Sequence, residues 1–425
     1  MFRRAAYLAQ MLHNERLPPN TLLAAQAKRL SALVRYAGSH VPFYRDLYAA
    51  QDIRLASFQG LKDLPSLPIV EKRLLRAAGA AARSLDAPAR PVTIRTSGST
   101  GEPFEFQIDY GHDQWRKAQY LRPYLSNGRR LGDKVLRLTA NPTDQAPWFS
   151  RLGLLRESRI DCTSDPARQA EAWRRLAPDI LQGYPASLRA LAHYCLETGD
   201  RLTPAPRLVF SDSALLLPDT RALVEQAFGT GVIDIFGTFE TDNIAFQCVA
   251  RGGHHIATDS VVLEIVRDGK PVPAGEEGEI VVTVLRNRTS PFIRYNLKDV
   301  GRLATRHCPC GLPFPLLAVI EGRSNDLLTL ADGRRCMSAG VLIPLTPFAE
   351  FIQHYQLRQL DIGRFELLVV PSSRFADVGP EPILNAIRPQ LGGATIDLRL
   401  VDVIKPERSG KQRAFVSDLP ADHRA

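Results

Sequence analysis

At 425 residues, with 44% hydrophobic and 23% charged side chains, the chain is too long for one ordinary core and has the make-up of a soluble globular protein of two or three domains. It holds no run of about 18 apolar residues, which argues against a transmembrane helix, and the apolar stretch after Arg3-Arg4 is broken by His13, Glu15 and Arg16 before it could serve as a signal peptide. The net charge of +9 comes from arginines dispersed among acids, without the basic stripe and interleaved aromatics of a nucleic-acid binder; such an excess reads first as a solvated basic surface and second as attraction of a nucleotide, coenzyme A or an acidic carrier protein.

Leu22, Leu23, Ala27, Leu30, Leu33 and Val34 recur at helical spacing, so residues 21–38 read as an amphipathic helix, followed by a turn at His40-Val41-Pro42-Phe43-Tyr44. From about residue 90 to 240, β-prone and helical stretches alternate. Strands are expected at 135–138, 180–181, 208–210 and 232–236, and helices at 167–176, 188–196 and 218–228. That rhythm argues for a parallel sheet, where ligands sit at the carboxyl ends of the strands. After residue 250, strands at 261–266 and 279–285 flank the turn Asp268-Gly269-Lys270-Pro271, which points to a β-rich subdomain. The texture changes again near Gly322. A strand at 365–370, a helix at 381–388, a strand at 395–403 and a short strand at 414–416 form a small α+β domain of about 100 residues. The expected class is α/β: a large multi-layer N-terminal domain, residues 1–322, with parallel sheets and a β-rich subdomain, and a small mobile α+β C-terminal domain, residues 323–425.

Several stretches carry chemistry. Thr96-Ser97-Gly98-Ser99-Thr100-Gly101 follows a β-prone run; its glycines let backbone approach a polyphosphate, and its hydroxyls and free N–H groups supply uncharged donors. It is not a Walker loop, because Gly-x-x-x-x-Gly-Lys-Ser/Thr occurs nowhere in the chain, so a cation must come from elsewhere. Phe236-Gly237-Thr238-Phe239-Glu240 ends a strand with a glycine, a hydroxyl and a carboxylate; Glu240 is suited to Mg²⁺ or, more plainly, to the first turn of a helix. Asp299, after an apolar-aromatic strand, can accept both hydroxyls of a ribose or sit in a simple turn. Lys411, in the basic loop 405–413, is a mobile point charge suited to a phosphoryl oxygen, or an exposed turn residue.

In this order the stretches resemble the adenylate-forming superfamily, specifically its phenylacetate–coenzyme A ligase and capsule-biosynthesis branch, from about residue 29 to 418. His40-Val41-Pro42-Phe43-Tyr44-Arg45 resembles the branch's N-terminal signature, and Gly183-Tyr184-Pro185-Ala186-Ser187-Leu188 its mid-domain one. Thr96–Pro103 resembles the phosphate loop, Phe236–Glu240 the aromatic-Gly-x-x-Glu segment, and Pro291–Tyr295 with Asp299 the ribose segment. Gly322–Asp326 resembles the inter-domain hinge, and Gly410-Lys411 the adenylation lysine. The resemblance implies that Ser97, Gly98, Ser99, Thr100 and Gly101 cradle the phosphates of ATP and that Ser211-Asp212-Ser213, with Phe236 and Gly237, line the nucleotide. Thr238 and Glu240 would face the α-phosphate and Mg²⁺, and Asp299 and Arg323 would grip the ribose. The pivot would be Asn325 or Asp326, with Lys411 as the catalytic cation. Three departures stand out: Phe104 where many relatives carry a lysine or a small polar residue, Leu297-Lys298 in place of Thr-Gly, and no Gly-Glu pair at 211–213.

The implied activity is that of an AMP-forming acid–thiol ligase, joining an aryl or short acyl acid through an acyl-adenylate to coenzyme A or an acyl carrier protein. Two alternatives are a nucleotidyl transferase placing AMP on a cofactor hydroxyl and a non-catalytic nucleotide-binding relative. A homodimer and a cytoplasmic setting are expected, with no nucleic-acid partner. Six cysteines in this length make no disulfide scaffold. Cys308 and Cys310, with Cys248 and His254-His255 upstream, are read as a closed structural Zn²⁺ site or as buried free thiols, the resemblance implying His255 as the histidine, and Cys162, Cys195 and Cys336 as ordinary thiols.

Overall fold

A computed structural model describes residues 2–96, 104–143, 148–323, 327–330, 332–407 and 410–419, and the side chains of Trp148, Val319, Glu321 and Arg323 lie outside that description. The chain divides into two compact units: Met1–Gly128 with Ile235–Ile320, and Arg129–Asp234 with Glu321–Ala425. Among the described residues no helix is long and apolar enough to cross a membrane.

The first unit opens with helices α1 (Phe2–Asn14), α2 (Pro19–His40) and α3 (Pro42–Ala49). The turn expected at 40–44 narrows to the extended Val41, because Pro42 can open a helix but cannot continue one. Tyr44, fully buried, donates to the Pro291 carbonyl at 2.9 Å and accepts from Ile293 N at 3.0 Å. The His40–Arg45 signature is therefore a brace, tying α3 to a segment far along the chain. Helix α4 (Lys72–Ala78) and the antiparallel hairpin β1 (Val92–Arg95) and β2 (Glu105–Ile108) follow. Helix α5 (Tyr110–Ser126) was not foreseen. Asp109 caps it by accepting from His112 N at 2.9 Å, but its buried face holds His112, Asp113, Gln119 and Arg122, so no apolar stripe betrays it. Arg122 is neutralised inside by Glu15 and Asp259, each at 2.9 Å.

The first part of the second unit is the expected alternating region. Strands β3 (Val135–Thr139), β4 (Glu157–Asp161), β5 (Ile180–Gly183) and β6 (Leu208–Ser211) alternate with helices α6 (Pro166–Leu176), α7 (Pro185–Thr198) and α8 (Pro218–Phe228). Each helix begins on proline and ends at a left-handed residue, Ala177, Gly199 or Gly229. The strands pair in parallel in the order β4-β3-β5-β6, and β6 pairs in parallel with the first residues of β7 (Val232–Thr238). All their carboxyl ends therefore share one rim.

Strand β7 carries the chain back into the first unit, where β8 (Asp242–Gln247), β9 (His254–Ile256), β10 (Val261–Arg267), β11 (Lys270–Pro271), β12 (Glu277–Val284), β13 (Tyr295–Leu303) and β14 (Leu316–Arg323) form the β-rich part. Its core joins α2, α3 and the β1–β2 hairpin through residues such as Leu33, Tyr44, Phe106, Val282 and Phe292. Back in the second unit come β15 (Leu327–Thr329), β16 (Arg335–Met337), α9 (Ser338–Leu342), β17 (Ile352–Asp361), β18 (Arg364–Pro371), α10 (Pro380–Ile387), β19 (Thr395–Leu400) and β20 (Phe415–Ser417). The last four long strands make a sheet in the order β19-β18-β17-β20. Strand β17 was not foreseen; it pairs with β18 on one side and β20 on the other.

This C-terminal part is tied to α7 by buried polar groups. Arg189 donates to Asp219 at 2.6 Å and to the Ile352 carbonyl at 2.6 Å, and His193 meets the same carbonyl at 2.7 Å. Burial, and then the Arg189 charge, push the His193 pKa down to about 3. An unfolded histidine takes its proton near pH 6.5, so this contribution to stability is complete above that pH. It is lost as pH falls toward the folded value, at up to about 1.4 kcal/mol per pH unit. Thermal melts from pH 7 to 4 are expected to fall more steeply for the wild type than for His193→Gln, whose amide can still donate to Ile352.

Candidate active site

In the first unit the turn that carries Thr238 and Glu240 is built at the β7–β8 connection. A side chain on Gly237 would place its Cβ 2.0 Å from the Asp242 carbonyl oxygen, so only glycine lets the strands close this tightly. Within the turn, the Thr238 and Thr241 hydroxyls lie 3.0 Å apart. Glu240 is 5% exposed, with Lys72 Nζ at 2.6 Å and the donating Tyr295 hydroxyl at 3.3 Å. Lys72, at the start of α4, was not singled out from sequence; no motif distinguishes it from other helix-opening lysines. Its ammonium also stands 5.9 Å from the Phe104 ring centroid. Phe104, one of the three departures, is buried against Phe106 and Phe292. Helix α4 thus brings a cation to the ring of Phe104.

Thr96 and Phe104 are zipped together, Thr96 N to the Phe104 carbonyl at 3.0 Å and Phe104 N to Thr96 Oγ1 at 3.1 Å. They extend the β1–β2 hairpin, while Ser97, Gly98, Ser99, Thr100 and Gly101 lie outside the described residues. Asp299 sits on β13 at an irregularity: Asn296 pairs with Val281 and Val300 with Glu279, leaving residues 297–299 opposite Ile280. Such a bulge re-aims side chains. Within it Lys298 takes a positive φ, +60°, the conformation that favours the glycine the resemblance leads one to expect there. Asn296 Oδ1 accepts from Lys298 N at 2.8 Å, and Lys298 Nζ lies 3.0 Å from Glu71. Partial burial would lower the Lys298 pKa, but Glu71 and Glu279 outweigh it and raise it.

In the second unit Ser211, Asp212 and Ser213 lie at the carboxyl end of β6. Ser211 is fully buried, with no partner for its Oγ among the described residues, as expected of a group that meets a ligand. Asp212 accepts from Gln182 Nε2 at 2.5 Å, from Arg137 at 3.5 Å and from Ser213 Oγ at 2.9 Å. The loop bearing Lys411 reaches the same rim. A methyl group built on Gly410 would lie 2.8 Å from Cys162 Sγ, 3.1 Å from Ala140 Cβ and 3.6 Å from Tyr184. These residues follow β4, β3 and β5. Arg323 closes β14, its side chain outside the described residues, as are Asn325 and Asp326.

Away from these groups, β9 gathers the expected metal residues. His255 pairs with Phe246 on one neighbour and Leu316 on the other, which places it beside Cys248 and the Cys308–Cys310 loop. The ligand atoms of Cys248, His255, Cys308 and Cys310 all lie within 4.8 Å of one another. The Cys248 and Cys308 sulfurs are 3.5 Å apart, too far for a disulfide, and Cys310 Sγ is 3.3 Å from His255 Nε2. A tetrahedral zinc with bonds of about 2.3 Å holds its sulfurs roughly 3.8 Å apart, so the cage fits. Burial pushes the His255 pKa down to about 4, leaving the neutral imidazole that ligates metal.

No protein-family model matches the chain. It is 28% identical over 397 residues to the phenylacetate-coenzyme A ligase of Thermus thermophilus, which spans 88% of this chain and 87% of that protein. It is 26% identical over 400 residues to the Escherichia coli K12 phenylacetate-coenzyme A ligase, spanning 85% of each. Among solved structures it resembles 2-hydroxyisobutyryl-CoA ligase in the postadenylation state, with a TM-score of 0.80, 21% identity, and coverage of 95% of this chain and 91% of that one.

Proposed function

We propose that this chain, which belongs to the adenylate-forming superfamily, activates a carboxylic acid with ATP and passes the acyl group to the thiol of coenzyme A. The observation that carries the reading is the seating of the Gly410-Lys411 loop on the rim that also bears Ser211–Ser213. Carboxyl ends of parallel strands are where such sheets bind ligands, and here Gly410, next to Lys411, packs on the rim from a distant part of the chain.

In the first step a carboxylate oxygen attacks the α-phosphorus of ATP, and pyrophosphate leaves. Lys411 offsets the charge that builds on the transferring oxygens, while Ser211 and Asp212 orient the nucleotide and Thr238 faces the α-phosphate. A magnesium ion arriving with ATP would take Glu240 as its protein ligand and supply further charge neutralisation; one buried carboxylate suits an ion that keeps most of its waters. Ser97–Gly101 cradle the phosphates, and Asp299 and Arg323 hold the ribose. In the second step residues 323–425 rotate about Asn325-Asp326, withdraw Lys411, and admit the thiol, whose sulfur attacks the acyl carbonyl as AMP departs. The test is acid-dependent exchange of labelled pyrophosphate into ATP across a panel of aryl and short acyl acids. Coenzyme A and carrier proteins are then compared as acceptors. Absence of exchange with every acid overturns the reading.

Structural zinc held by Cys248, His255, Cys308 and Cys310 belongs to the same proposal. It would clamp β8, β9 and the 308–310 loop without touching substrate. Metal analysis of purified protein is expected to give about one zinc per chain, and chelation to lower Tm by roughly 2–4 °C for each kcal/mol of binding energy lost. Cys308→Ser should abolish the stoichiometric zinc; retention of it would refute the cage.

A further inference from the structure

We infer that Cys162, with Ala140 and Tyr184, forms a size-limited seat that positions Lys411 for the adenylation step, so that bulk at Cys162 selectively disables that half of the reaction. The inference rests on the activity proposed above and assigns a task to a cysteine that sequence alone leaves as an ordinary thiol. The seat is rigid. Cys162 N donates to the Thr139 carbonyl at 3.1 Å, and the Tyr184 hydroxyl meets the Thr139 side chain and the Ala140 backbone. Cys162 is 7% exposed, so its sulfur is a packing surface and not a reactive thiol. Above it, Gly410 has φ +76°, and any side chain there would be driven into the sulfur at 2.8 Å. The neighbouring turn is closed by its own backbone: Gly410 N donates to the Glu407 carbonyl at 2.8 Å, and Glu407 N to the Lys411 carbonyl at 2.8 Å. The position of the Lys411 backbone is therefore set by how closely Gly410 settles onto Cys162. A loop displaced by even an ångström loses its aim at the reacting oxygens.

The thiol-transfer step does not need Lys411 in place, so the seat should matter to one half-reaction alone. In Cys162→Phe, acid-dependent pyrophosphate exchange is expected to fall about tenfold or more relative to thioester formation from preformed acyl-adenylate and coenzyme A. A second pair guards against misfolding: Gly410→Ala should depress the same ratio, and adding Cys162→Ala, which removes the clashing sulfur, should restore part of it. Equal loss of both half-reactions in a Cys162→Phe protein with near-wild-type Tm overturns the inference. So does a Gly410→Ala defect that is identical with and without Cys162→Ala. A wild-type chain without exchange on any acid refutes the underlying activity instead, and the seat with it.

Discussion

Lys411→Ala is expected to slow acid-dependent pyrophosphate exchange by about a hundredfold or more, while thioester formation from preformed adenylate falls far less. The asymmetry follows from where the charge is needed. Attack on phosphorus concentrates negative charge on oxygens that a cation can meet, whereas attack of a thiol on the acyl carbonyl expels AMP from a site the lysine has left. The loop keeps anchors on residues other than Lys411 when the substitution is made. Gln412 Nε2 donates to the Ile404 carbonyl at 2.9 Å, Gln356 Nε2 to the Arg413 carbonyl at 3.0 Å, and Leu357 N to the Ala414 carbonyl at 2.8 Å. Lys411→Arg should restore little, since a planar guanidinium cannot occupy the place of a compact ammonium. Unchanged exchange in Lys411→Ala would remove the lysine from the chemistry.

What could be read from sequence was whatever local rules decide. Helix α8 runs from Pro218 to Phe228 as expected, because proline opens it, apolar residues recur along it, and Gly229 ends it. Strands β3, β5, β6 and the start of β7 were equally visible, since strands buried on both faces read as short apolar runs, whereas β4, only partly buried at the sheet edge, was missed. Helix α5 was hidden because it buries charge: Arg122 belongs in the interior only once Glu15 and Asp259, far away in sequence, have come to meet it. Lys72 was hidden for a similar reason; nothing near it in the chain announces Glu240, 168 positions later. Motif order singled out the 236–240 turn, the 291–299 stretch and the Lys411 loop, but not what each rests on. The His40–Arg45 signature likewise turned out to brace the fold through Tyr44. The cluster of Cys248, His255, Cys308 and Cys310 lay between these extremes, its Cys-x-Cys half plain and its assembly dependent on the register of β9 between β8 and β14.

Glu240→Gln should lower acid-dependent exchange by about a hundredfold and raise the Mg²⁺ concentration needed for half-maximal rate. Glutamine keeps the shape and one acceptor oxygen, so Lys72 and Tyr295 retain a partner and only the charge disappears. Because Lys72 is 43% exposed, solvent screens its pair with Glu240, and Tm is expected to change little. A large drop in Tm would mean that the carboxylate holds the turn together, and an unchanged Mg²⁺ requirement would mean that it does not meet the ion. Lys72 supplies the deciding measurement. As it stands, its ammonium lies against the carboxylate proposed for Mg²⁺, so the arrival of a metal must displace it or share the carboxylate's oxygens with it. If Lys72 then turns to the phosphates, supplying the cation that Phe104 lacks, Lys72→Met should raise KM for ATP and show strong coupling to Glu240→Gln in a double-mutant cycle. If Lys72 merely restrains Glu240, Lys72→Met should instead lower the Mg²⁺ requirement and leave KM for ATP unaltered.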